Sequence, residues 1–184
     1  MTAYLMKHCA PTLAGLKSAS LFTFPFADEE QLFSQARGMN TLLNGKGVFV
    51  DILRRRGDKA LVYVYRENRV SEDMARRGVG DYLRAIGYED GSISGCLERL
   101  RNRFEECEKT GFPHEIGLFL GYPLHDVKGF CAHCGKKPLL CGYWKVYRNI
   151  EDARETFRRY KACEAAYRRR AAQGTSIAQL VVAM

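Results

Sequence analysis

Two runs decide the fold: Val48-Phe49-Val50-Asp51-Ile52-Leu53 and Ala60-Leu61-Val62-Tyr63-Val64-Tyr65, set around Arg55-Arg56-Gly57-Asp58-Lys59. Both are rich in β-branched and aromatic residues, and the short polar link carries a glycine, so they predict an antiparallel hairpin over 48–53 and 60–65. A second strand-like stretch, Leu140 to Tyr147 (LCGYWKVY), has the same β-branched and aromatic character. Most of the remaining chain has helical spacing. The expectation is one α+β domain over 1–184, a small and mostly antiparallel sheet packed with about six helices.

Working outward from the hairpin, Pro11 suits the first turn of a helix reaching about Lys17, and Leu21 to Pro25 reads as extended or loop. Asp28 with Gln31 resembles a capping box, ahead of Leu32, Ala36, Met39 and Leu43 at helical spacing and an Asn44-Gly45 stop. Ser71 is placed to cap a helix to about Ile86. Ile93, Leu97, Leu100, Phe104 and Cys107 form the apolar stripe of another, stopping near Gly111. FPHEIGLFLGYPLHDVKGF (112–130) predicts two short helices opened by Pro113 and Pro123 and parted at Gly121. Asn149 is positioned to cap a long helix with Ala153, Phe157, Tyr160 and Tyr167 inward, closed by Gly174. SIAQLVVAM (176–184) is a short helix or a loose apolar tail.

A chain of 184 residues with 46% hydrophobic and 27% charged residues is ordinary for a globular domain. The length excludes a disulfide miniprotein, and the composition excludes a disordered or fibrous chain. The net charge is +8, from 29 Lys+Arg against 21 Asp+Glu. Acidic residues lie between most of the basic ones, so the charge reads mainly as solvated surface, and nucleic acid is an unfavoured partner. Apolar stretches are too short for a bilayer span, and the N-terminus makes a poor signal peptide. The expected location is the cytoplasm, with the seven cysteines as reduced thiols.

Cys9 precedes Ala10-Pro11 and so falls at a predicted helix start, where the dipole favours a thiolate; the alternative is a small buried apolar residue. His114 is a candidate base for it, with Glu115 or Asp126 as the orienting acid, in the logic of an activated nucleophile. The bland alternative makes His114 and Glu115 ordinary first-turn residues. Cys131, His133, Cys134 and Cys141 have the look of a zinc half-site, but no second pair completes it, so no metal is expected. Tyr143, Trp144 and Tyr147, interleaved with Lys145, could stack a planar ligand or simply pack.

Taken together, HCAPTLAGLKSASLF, ALVYVYR, FPHEIGLFLGYPLHDVKGF and CGYWKVY resemble a bacterial, clostridial-type family catalogued only as a domain of unknown function. The resemblance runs from about Lys7 to Gly174. It implies a one-domain cytoplasmic bacterial protein and carries no activity with it. Cys9, Pro11, Lys17, His114, Glu115, Gly121, Tyr122, Pro123, Asp126, Gly142, Trp144 and Lys145 match its motif positions, whereas Cys131, His133 and Cys134 fall where its pattern demands no cysteine pair.

Three functions follow as expectations. The first is a thiol-dependent transferase or redox enzyme, or a small-ligand-binding protein. It would use Cys9, His114, Glu115 and Asp126, with Lys17 and Lys145 holding an anionic group and Tyr122 and Trp144 as a wall. The second is a sensor or adaptor for a flavin or haem, with Cys9, His8 or His114 as axial ligands to iron. The third is nucleic-acid binding through the Arg-rich helix 151–173. A homodimer through Ile177, Leu180, Val181 and Val182 is a further expectation.

Overall fold

A computed structural model describes residues 1–106 and 111–183. The hairpin forms as its alternation requires: β2 (Phe49–Arg56) and β3 (Lys59–Tyr65) pair antiparallel, turning at Gly57, whose φ of 56° suits glycine. Their register shifts between Ile52 and Arg54, a bulge at Leu53, which is buried on the face that also carries Leu61 and Tyr63. The stretch near Leu21 is strand rather than loop. β1 (Ala19–Pro25) pairs with the other edge of β3, giving the order β1-β3-β2.

As the central strand, β3 is apolar on both faces, and that splits the core in two. Ala60, Val62 and Val64 join Phe22, Phe24, Val48 and Val50 on one face. There they meet α1 (Thr2–His8), α2 (Ala10–Leu13), α3 (Glu29–Leu43), the long α9 (Ile150–Ala172) and α10 (Ile177–Leu180). Leu61, Tyr63 and Tyr65 join Leu21 and Leu53 on the other. That face is covered by α4 (Glu67–Met74), α5 (Val79–Ala85), α6 (Ile93–Glu106), α7 (Ile116–Phe119) and α8 (Leu124–Ala132). Tyr63 pins α7 to the sheet by donating to the Phe119 carbonyl at 2.6 Å.

The first face is locked by Arg66, a wholly buried cation just beyond β3. Its guanidinium donates to the carbonyls of Thr12 (2.6 Å), Leu13 (2.7 Å), Lys46 (3.1 Å) and Val182 (2.7 Å). Four chain segments thus meet at one side chain, and carbonyls rather than a carboxylate compensate its desolvation.

Several predicted elements stand: Asp28 caps α3 through the N–H groups of Glu30 (3.3 Å) and Gln31 (2.9 Å), and Ala153, Phe157, Tyr160 and Tyr167 are the buried residues of α9. Others are corrected. Among the described residues the helices number ten rather than about six, because several are single turns. The helix at Pro11 ends at Leu13, short of Lys17, where Gly15 takes a φ of 73°. Ser71 lies inside α4, and Gly78, at φ 79°, separates α4 from α5. Asn149 occupies the expected N-cap but in a left-handed conformation with no side-chain cap. Cys107 and the expected helix stop before Gly111 lie outside the described residues or at their edge.

The predicted strand over 140–147 is a small hairpin instead, β4 (Leu140–Cys141) and β5 (Lys145–Val146), with Trp144 in its turn. Gly142 permits that turn: a Cβ there would lie 2.1 Å from the Phe157 ring of α9. The four tail residues expected at a dimer contact are placed differently from one another. Ile177, Leu180 and Val181 are packed into the chain's own core, and only Val182 of the four is exposed. No helix among the described residues is long and apolar enough to cross a membrane.

Candidate functional site

The sequence candidates divide between the two faces of the sheet. Cys9 has no exposed surface and sits in the core of the first face, at the junction of α1 and α2. Burial pushes its thiol up to about 12; Lys17 and a hydrogen bond with Ser20 oppose this only in part. The expected activation by a helix start fails because α2 is four residues long and the sulfur is cut off from water, which penalises the charged form more than so short a helix favours it. His114 lies across the sheet, beside Phe112 and Phe130, so the proposed Cys9–His114 pair does not form.

Neither carboxylate orients His114. Glu115 turns inward, accepting from Tyr88 Oη (3.2 Å) and Arg103 Nε (2.9 Å), and so ties α7 to α6. Asp126, 3% exposed, accepts from Trp144 Nε1 (2.8 Å), the Tyr147 N–H (2.7 Å) and the Arg148 N–H (3.1 Å). It fixes the β4–β5 hairpin against α8. These acids shape a site without supplying a proton relay.

What they shape is a groove of about 380 Å³ between the 112–130 segment and the hairpin. Leu21, Ile116, Leu120 and Val127 supply apolar surface, and Phe112, Phe130, Tyr122 and Trp144 supply aromatic surface. Polar groups are few: His114, Asp126, Cys141 and Lys145. Tyr122 and Trp144 stack at 5.0 Å and 27°, and Tyr122 Oη donates to the Tyr143 carbonyl at 3.1 Å. Lys145 crosses the Phe130 ring at 5.6 Å and donates to the Gly135 carbonyl at 2.6 Å. Gly117 lets the wall close up, since a Cβ there would approach Val127 Cγ2 to 2.8 Å.

The structure therefore brings His114, Tyr122, Asp126, Trp144 and Lys145 to one cavity and leaves Cys9, Glu115 and Lys17 out of its lining. Lys17 reaches it only through the Tyr122 ring, 5.2 Å from its ammonium, and burial lowers its pKa to about 8. Sequence reasoning missed Phe112 and Phe130, readable only as generic aromatics, and Cys141 as a groove thiol. Among the described residues no group of three His, Cys, Asp or Glu side chains could hold a metal ion. Of the haem-ligand candidates His8, Cys9 and His114, only His114 faces the groove; His8 stacks on Phe22 at 5.5 Å.

No curated protein and no solved structure matches the chain. A family model described as a protein of unknown function (DUF3793) matches residues 5–181. The chain, whose groove and supports lie within those matched residues, belongs to the DUF3793 family.

Proposed function

We propose that the protein binds a small, flat, anionic molecule in the groove between the 112–130 segment and the β4–β5 hairpin. One observation carries this reading: His114, Tyr122 and Asp126 of the 112–130 segment and Trp144 and Lys145 of the hairpin line a single apolar cavity. An apolar pocket with a few convergent polar groups is the usual form of a small-molecule site. Stacked Tyr122 and Trp144 suit a planar ring, Lys145 gives an acidic substituent its counter-charge, and His114 offers it a hydrogen-bonding imidazole. A flavin fits this description, and a haem would find His114 as its ligand. The described cysteines are all free thiols, in keeping with a reducing, cytoplasmic setting in a bacterial cell. Thiol chemistry at Cys9 is not part of the reading, because that sulfur is protonated and enclosed.

The chain has one tryptophan, and it lines the groove. Titration with flavin mononucleotide, haemin and anilinonaphthalene sulfonate, read by Trp144 emission, tests the proposal. Saturable quenching by at least one probe, weakened about tenfold in a His114→Ala/Lys145→Ala double variant, is expected. Linear, unsaturable quenching by all three would sink the reading. Visible colour in the purified protein would separate a resident flavin or haem from a colourless ligand.

A further inference from the structure

A second cavity, of about 250 Å³, adjoins the groove at Trp144 and Asp126, which line both. Its character is different: Arg76, Arg148, Arg159 and His125 come to it from four separate segments, together with Asn149 and Asp152 at the start of α9. The acids that face it are largely committed. Asp126 already accepts from Trp144 Nε1 and two backbone N–H groups, and Asp73, behind the wall, accepts from Ser18 Oγ and pairs with Arg76 at 2.7 Å. Asp152 is the one exposed carboxylate of the lining. The guanidiniums of Arg148 and Arg159 have no carboxylate within 4.0 Å among the described residues, and His125 Nε2 stands 3.7 Å from Asp126.

We infer that this cavity is an oxyanion site that takes a phosphate or a phosphate monoester. Guanidinium forks match the paired oxygens of such a group, and two of the three that converge here, Arg148 and Arg159, are held by no carboxylate within 4.0 Å among the described residues and so keep their forks for a ligand. Asp126 prepares the site indirectly. By holding the Arg148 N–H at 3.1 Å it fixes the backbone from which that side chain projects, and with Trp144 it forms the partition from the groove. The inference does not rest on the groove's occupant, because its cations are not groove residues.

Trp144 also reports on this cavity. Inorganic pyrophosphate, titrated at ionic strength held constant with sodium chloride, should give saturable one-to-one binding by Trp144 emission and calorimetry. Affinity should fall about tenfold or more in an Arg148→Ala/Arg159→Ala variant, both positions being exposed, and should not change in Lys145→Ala. If the double alanine variant melts early, Arg148→Lys/Arg159→Lys gives the same test, keeping charge while losing the fork. Signals that track ionic strength alone, or a double variant that binds like the parent, would overturn the site. Binding of pyrophosphate without any binding of the flat probes would leave this site standing and the groove reading fallen; the reverse result would do the opposite.

Discussion

The two faces of the sheet are built from similar apolar residues, yet one is sealed and the other is hollowed. On the first, Cys9 and its neighbours pack against strands with no exposed surface, and Arg66 gathers four carbonyls around itself. On the second, Tyr122, Trp144 and Phe130 stand around an open groove, and the buried acids Glu115 and Asp126 spend their acceptors on holding its walls. The difference teaches that a polar or nucleophilic residue in a motif is not by itself a site. Its burial and its existing partners decide whether it holds the fold or meets a ligand.

Arg66→Met tests the sealed face most severely. It leaves several buried carbonyls without a donor, so urea unfolding should show a loss of about 3–5 kcal/mol. A loss under about 1 kcal/mol would show that water reaches those carbonyls and that the face is not sealed. Asp126→Asn probes the other face; it should cost about 2–3 kcal/mol, shift Trp144 emission to the red, and weaken groove binding. Unchanged emission would mean that the hairpin does not depend on this carboxylate.

Smaller effects sharpen the contrast through pH. The folded chain keeps the Cys9 proton to about 12, while an unfolded thiol releases it near 9. Stability from this group is therefore full below 9 and declines as pH rises from 9 towards 12. Cys9→Ala should cost about 1–2 kcal/mol at pH 7 and progressively less above 9. Lys17 acts with the opposite sign. Its folded pKa, about 8, lies below the ordinary 10.5, so its burial penalty is complete below 8 and is relieved by 10.5. Lys17→Met should be the more stable chain at pH 7, with the advantage fading towards 10.5. A constant difference across that range would refute the burial assignment. Finally, alkylation at pH 8 should reach the exposed Cys134 and Cys141, more slowly Cys131, whose thiol burial pushes up, and Cys9 only on unfolding, and loss of probe binding should follow Cys141 in a Cys131→Ser/Cys134→Ser background.

How much of this was legible in sequence depends on the range of the interaction that decides each feature. The 48–65 hairpin, the Asp28 cap and the inward stripe of α9 are set by neighbours within a few positions, and they read directly. The β4–β5 turn is set by Asp126, from 18 residues before Trp144, and by the closeness of Phe157 to Gly142, so strand-like composition misled. Of the site, the aromatic and basic pieces were visible as types. That His114 and Trp144 share a cavity while Cys9 lies across the sheet is a product of packing, which no spacing rule contains. Arg66 carries no sequence signal because its partners are carbonyls, which every residue has.

Arg66 also sets an order of events at the ribosome. The whole three-stranded sheet is encoded by residue 65, so it can pair while synthesis continues. The Val182 carbonyl that completes the guanidinium's shell arrives 116 positions after Arg66. Until it emerges, that cation lacks one of its four carbonyl partners, so the core of the first face closes only after the residues that follow the sheet by more than a hundred positions are made.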